Sequence, residues 1–146
     1  LAFALGFAFG IPTVLLLVHN MALLGAMLWL FVGADLGWEF AAWLSVHGTT
    51  ELFAILLAGA AGLHIGRSMA LPGTRSVLAA AAESGRRAAQ VMAGVVLMLV
   101  IAGLLEGYAR QLVHTPLARA AIGGTMLAFW IAWFTLMGRE RAGATR

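Results

Sequence analysis

The chain has 146 residues, of which 62% are hydrophobic and 10% are charged, and its mean hydropathy is +0.96. A soluble domain is roughly 45–50% apolar and roughly 25% charged, and a chain of this size cannot shield so much apolar surface from water. These values exclude a soluble enzyme, a soluble binding module and a disordered chain. They indicate an integral membrane protein that is embedded in the lipid bilayer.

Charge is concentrated in two segments. The formal net charge is +3, and most of the basic residues, all of them Arg, lie in the connection 67–88 and the tail 139–146. No basic stripe alternates with aromatic residues, so we expect no nucleic-acid partner. The chain has no Cys, which excludes disulfide frameworks and thiolate metal sites. No Met or charged segment precedes the first apolar run, so we expect a truncated N-terminus and no signal peptide.

The N-terminal third predicts one partial and one complete span. Gly10-Ile11-Pro12 interrupts an uncharged run that is too long for a single span of about 20 residues. Residues 1–10 then form the end of an earlier helix, and residues 12–32 form a full span. The acidic segment 33–47 carries two Trp residues, which favours a loop and a short interfacial helix with both indoles at headgroup level.

Helix-breaking residues divide the rest of the chain. Leu71-Pro72-Gly73-Thr74 and Thr115-Pro116 both favour turns. The Ala-rich segment 75–87 has its charges broadly on one side, which suggests a helix lying along the membrane surface. Three further spans are predicted, over residues 48–67, 89–109 and 117–138. The fold class is therefore an all-α membrane bundle with four full spans, part of an earlier span and an interfacial helix.

The expected topology follows from the placement of Arg. Residues 1–138 form the transmembrane domain, and residues 139–146 form a basic tail. Cytoplasmic loops are enriched in Arg and Lys, so the 67–88 connection and the tail are both expected in the cytoplasm, with two spans between them. The 33–47 loop is then extracytoplasmic, in a multi-pass protein of the plasma membrane.

Three ionisable residues within the spans are candidates for a site, because such residues are costly in lipid and usually face protein. His47 and Glu51 are spaced i,i+4 and share one helical face. Glu106 lies about 24 Å along its helix from Gln90, so we expect it to reach the same outer third of the membrane. One His and two Glu form a ligand set that zinc accepts with a position left for water. The two carboxylates could instead share a proton.

Structural roles explain the same residues. Glu106 can pair with Arg110 at i,i+4, and His47 can hydrogen-bond the preceding loop. Glu51 lies in a first helical turn, where a carboxylate is favoured by the helix dipole. A structural polar cluster is therefore the preferred interpretation. No cofactor is expected, and a divalent metal such as zinc is the alternative.

Small and polar residues elsewhere predict contacts between helices. Small residues at helical spacing let another helix approach closely. Such contacts could also hold a homo-oligomer together. The candidates for packing or interaction are Gly48, Ala58, Gly62, Gly66, Gly103 and Gly107. His19, Asn20 and His64 lie in the inner halves of their spans, and we interpret them as partners in hydrogen bonds between helices.

Two stretches resemble the signature stretches of the stage II sporulation protein M family. The first is His47-Gly48-Thr49-Thr50-Glu51-Leu52-Phe53-Ala54-Ile55, continued by Ala58-Gly59-Ala60-Ala61-Gly62-Leu63. The second is Ala102-Gly103-Leu104-Leu105-Glu106-Gly107-Tyr108. Their separation and the Arg-bearing connection between them also match, and the resemblance extends over roughly residues 1–138.

The resemblance implies a polytopic plasma-membrane protein. In spore formers its namesake works with cell-wall-degrading partners as a membrane scaffold, and members also occur in organisms that make no spores. The leading hypothesis is therefore a non-enzymatic scaffold or assembly protein that organises envelope or cell-wall-remodelling partners. Two alternatives stay open. One is an intramembrane metal-dependent hydrolase that uses His47, Glu51 and Glu106, and the other is a small transporter or a subunit of one.

Overall fold

The computed structural model describes the backbone of residues 1–143 and their side chains except those of His47, Arg110 and residues 137–143. The described chain contains helices and connections only, which confirms the predicted all-α class. In chain order the helices are α1 (Ala2–Leu5), α2 (Ile11–Gly33), α3 (Gly37–Ala70), α4 (Val77–Leu112) and α5 (Pro116–Gly143).

Four of the described helices are long and apolar enough to cross a membrane, as predicted. The candidate spans are Ile11–Gly33, Gly48–Ala70, Val77–Ala109 and Pro116–Leu136. The predicted breaks are confirmed, but the first helix, predicted to reach residue 10, ends at Leu5, and residues 6–10 form turns. Gly10 adopts a left-handed conformation with φ 79° and caps α2, whose first turn holds Pro12. α3 ends at Ala70, directly before the Leu71-Pro72-Gly73-Thr74 turn, and α5 begins at Pro116.

Two predicted surface elements are absent as separate helices in the described chain. Residues 37–47 are the first turns of α3, and residues 77–87 are the first turns of α4. At about 1.5 Å per residue these helices are about 51 and 54 Å long, so they extend well beyond a hydrocarbon core of about 30 Å. Both extensions pack on a neighbour: Phe40 stacks on Phe31 of α2 at 4.3 Å between ring centroids, and Ser68 near the end of α3 donates to Ser84 Oγ at 2.7 Å.

The central element of the bundle is α3, which contacts each of the other helices, whereas α4 and α5 barely touch one another. Helices α2 and α4 run antiparallel to α3, and α5 runs parallel to it. The stacking of Phe53 on Phe134, at 6.0 Å between ring centroids, fixes the α5 register. One core cluster joins three helices through Ala54, Val95, Met98 and Trp130. A second, formed by Ala61, Ile65 and Ala88, joins α3 to α4.

The up-and-down order gives the bundle two distinct ends. We call the end with the 71–76 connection the Arg-rich end, because Arg67, Arg75, Arg86 and Arg87 lie there. The opposite end carries the connections 34–36 and 113–115. The predicted boundary between domain and tail, at residue 139, falls within α5, and residues 144–146 lie outside the described residues.

Candidate functional site

Glu51 lies on the face of α3 that is turned toward α2. Its half-buried side chain lines a crevice of about 200 Å³ together with Asn20, Leu24 and Gly48. Within the described part of the chain the Glu51 carboxylate has no hydrogen-bond or ion-pair partner. The crevice therefore holds an intramembrane carboxylate from α3 and the polar residue Asn20 from α2, with no hydrogen bond between them.

Glu106 lies elsewhere, half-buried on α4. The antiparallel register places Ala54 beside Val95 and Met98. At about 1.5 Å per residue, Glu106 is then about 10 Å nearer the opposite end of the bundle than Glu51 is. The Glu106 carboxylate also has no described partner in a hydrogen bond or ion pair. The described residues thus do not bring the two carboxylates to one crevice.

The predicted metal site also needs His47, whose side chain lies outside the described ones. Among the described residues, no group of three or more His, Cys, Asp or Glu side chains is placed to hold a metal ion. The metal or catalytic site of His47, Glu51 and Glu106 therefore stays a prediction. The predicted pairing of Glu106 with Arg110 also falls on a side chain outside the described set.

The small-residue stripe on α3 packs against the N-terminal segment of the same chain. A Cβ added to Gly62 would lie 2.6 Å from the Ala2 carbonyl oxygen, and one added to Gly66 would lie 2.5 Å from the Gly10 amide nitrogen. Thr13 stabilises this contact because its buried hydroxyl donates to the Ala2 carbonyl at 2.9 Å. Gly62 and Gly66 are therefore unavailable to a second protein, because the chain itself covers them.

The remaining small candidates have different surroundings. Ala58 packs against the core cluster that contains Ala54 and Trp130, and Gly48 faces Leu44 on its own helix. Gly103 and Gly107 on α4 have nothing within 4 Å of an added Cβ. This glycine pair lies on the outer surface of the bundle and is open to lipid or to another protein.

The predicted hydrogen bonds of the inner polar residues are not formed among the described side chains. His19 and His64 are exposed, and neither has a hydrogen-bond partner there. The register places His19 level with about residue 57 of α3, roughly two turns from His64. Asn20 instead lines the crevice that contains Glu51.

Sequence reasoning missed the polar contacts that do join the helices. Trp130 Nε1 donates to Thr50 Oγ1 at 3.0 Å, and both residues are buried. Ser45 donates to the Arg119 carbonyl at 3.4 Å and thereby links α3 to α5. The available signal was a hydroxyl residue within an apolar run, since hydroxyls often hydrogen-bond across membrane helices. That signal does not identify the partner.

The charged groups at the two ends are arranged differently. At the Arg-rich end, Glu83 pairs with Arg87 at 2.8 Å and with Arg75, while Arg86 is exposed and has no ion-pair partner among the described residues. At the opposite end, Glu39 and Arg119 line one crevice of about 380 Å³, and Arg119 Nε donates to the Val113 carbonyl at 2.9 Å.

Comparison with known families assigns most of the chain to one family. The sequence model of the family described as Stage II sporulation protein M matches residues 1–109. The chain belongs to this family. Both signature stretches, 47–63 and 102–108, lie inside the matched residues, whereas α5 lies beyond them. No curated protein and no solved structure matches the chain.

Proposed function

We propose that this member of the Stage II sporulation protein M family is a non-enzymatic membrane scaffold that organises envelope or cell-wall-remodelling partners. The observation that carries the proposal is the open glycine pair on α4. Gly103 and Gly107 are one helical turn apart and have open space at their Cβ positions. A different side of α4 faces α3 through buried residues such as Val95 and Ala102. Glycines at this spacing let a partner helix approach closely.

The surroundings of the glycine pair support a protein contact. Val96 and Val100 are exposed and continue the same face of α4 at helical spacing. The face therefore combines two small residues with two short β-branched ones, and it contains no charge. Such a surface offers tight van der Waals packing, which drives helix association where lipid removes the hydrophobic effect. A second copy of the chain or another membrane protein would suit it.

A photoreactive amino acid at Val96, introduced in cells, tests the proposal. We expect covalent adducts with envelope or cell-wall-remodelling membrane proteins, with a second copy of the chain as a further product. Gly107→Leu is expected to abolish the adducts because it fills the close-approach surface. The matched control is Gly25→Leu on α2, where an added side chain also meets open space. Adducts that persist in Gly107→Leu would contradict the use of this face.

We also propose that the protein works without a metal or other cofactor. Glu51 and Glu106 lie at different levels of the bundle, about 10 Å apart along its length, which supports structural roles for them. Metal analysis of the purified protein should give less than one equivalent of zinc, with no change in Glu106→Gln. One equivalent of zinc that is lost in Glu106→Gln would favour the hydrolase alternative.

The proposed location is the plasma membrane, with the 67–88 connection and the C-terminal tail in the cytoplasm and the 33–47 segment outside. The excess of Arg at one end of the bundle supports this orientation. Because the chain has no Cys, single cysteines report topology directly. Thr74→Cys should react with an impermeant maleimide only after the cells are opened, whereas Ala34→Cys should react in intact cells. The reverse pattern would invert the topology.

A further inference from the structure

A groove of about 550 Å³ lies between α4 and α5, because these helices both pack on α3 and barely touch each other. Its floor includes Leu57 of α3 and Met98 of α4, and its α5 wall is aromatic. The α5 residues are Phe129, Trp130, Trp133 and Phe134. Gly94 widens the groove, since nothing lies within 4 Å of its Cβ position.

The length of the groove corresponds to the thickness of one leaflet of the bilayer. Its α4 wall runs from Gln90 to Ile101, which is about 16 Å of helix. That is about half of a hydrocarbon core of about 30 Å. A membrane-spanning helix would need a wall of twice this length. A shallower depression of about 360 Å³ continues toward the opposite end, but it is lined by residues of α4 and by Val113 alone.

The end of the groove carries positive charge. Arg86 and Arg87 precede Gln90 by one helical turn, so they lie where the groove meets the Arg-rich end of the bundle. Glu83 neutralises part of this charge because it pairs with Arg87 and Arg75. Arg86 has no ion-pair partner in the described part of the chain. Its planar guanidinium can bind a phosphate through two hydrogen bonds.

We propose that this groove binds an acyl chain of an anionic phospholipid from the leaflet at the Arg-rich end, with the lipid phosphate held by Arg86. The aromatic wall and Met98 provide apolar contact for the chain, and the Gln90 amide lies at headgroup level beside Arg86. Basic pockets between membrane helices recognise anionic headgroups in this way. The site is separate from the glycine pair on α4 and does not depend on the scaffold proposal.

Native mass spectrometry of the detergent-solubilised protein tests this proposal with phosphatidylglycerol and phosphatidylcholine as probes. The wild type should retain one phosphatidylglycerol at concentrations where phosphatidylcholine is released. Arg86→Gln should weaken phosphatidylglycerol binding about fivefold and leave phosphatidylcholine binding unchanged. The matched control is Arg67→Gln, which removes the same charge from an exposed position on α3 that does not line the groove.

A second pair of variants tests the groove itself. Gly94→Leu fills the groove and should release both lipids, whereas Gly25→Leu adds the same side chain to α2 outside the groove and should retain them. Equal binding of the two lipids by the wild type, or an unchanged preference in Arg86→Gln, would overturn the proposal. Loss of a dimer in Gly94→Leu, without loss of lipid, would assign the groove to a second copy and also overturn it. Since Arg86 is exposed, its variant decides the question even if Gly94→Leu does not fold.

Discussion

The hydrogen bond between Trp130 and Thr50 joins α5 to the central helix, and its removal should measurably loosen the bundle. The indole N–H donates at 3.0 Å, and the exposed fractions are 8% for Trp130 and 0% for Thr50. Thr50→Val keeps the side-chain shape and removes the acceptor. Because both residues are buried, the indole N–H is then left without a partner, at a cost of about 1–3 kcal/mol.

A double-mutant cycle separates this bond from the packing around it. We expect Thr50→Val to lower the free energy of unfolding by about 1–2 kcal/mol in the wild type and by less in Trp130→Phe, which has no N–H. The coupling energy should be about 0.6 kcal/mol, the average for hydrogen bonds between membrane helices, and at most about 1.7 kcal/mol. The assay is reversible unfolding in mixed micelles, followed by far-UV circular dichroism.

A matched variant controls for the loss of a hydroxyl. Thr125 is exposed, and its hydroxyl donates at 2.8 Å to the Ala121 carbonyl of its own helix. Thr125→Val should therefore show no coupling to Trp130→Phe. A coupling energy for Thr50 below about 0.3 kcal/mol, the level at which independent sites are additive, would refute the conclusion that this bond holds α5 on α3.

Two further predictions concern stability. Gly66→Ala should lower the free energy of unfolding by about 1–3 kcal/mol, because its Cβ would lie 2.5 Å from the Gly10 amide nitrogen. The control Gly25→Ala, at an exposed position, should be neutral or stabilising. Equal unfolding midpoints for the two variants would contradict the close approach at Gly66. Glu83→Gln removes an exposed ion-pair network and should change stability by less than about 1 kcal/mol, so a larger loss in the same unfolding assay would show that the network holds the start of α4 in place.

Much of the fold could be predicted from the chain alone. Gly10 and Pro12, Leu71-Pro72-Gly73-Thr74 and Pro116 mark the helix boundaries because each disfavours a continuing helix at that point. The predicted interfacial segments failed for a related reason. The composition predicts a second break at the end of each segment, near residues 47 and 87, but the helix continues there because no residue disrupts it and a neighbouring helix supplies packing.

The candidate site shows the limit of the same reasoning. The i,i+4 spacing of His47 and Glu51 defines a shared face of α3, but it does not define which helix covers that face. The structure places Glu51 opposite α2 and Glu106 on α4 at another level. The predicted convergence assumed that the two carboxylates reach the same depth, whereas the register of α4 against α3 places Glu106 about 10 Å nearer the opposite end of the bundle.

The sequence by itself determined the membrane class, the number of spans and the family, because apolar run length and helix-breaking residues act locally along the chain. The tertiary structure decided which surfaces remain free. Gly62 and Gly66 are covered by the N-terminal segment of the same chain, whereas Gly103 and Gly107 are open. In a bilayer an apolar stripe can face lipid or protein at similar cost, so only the packed arrangement of all five helices distinguishes the two.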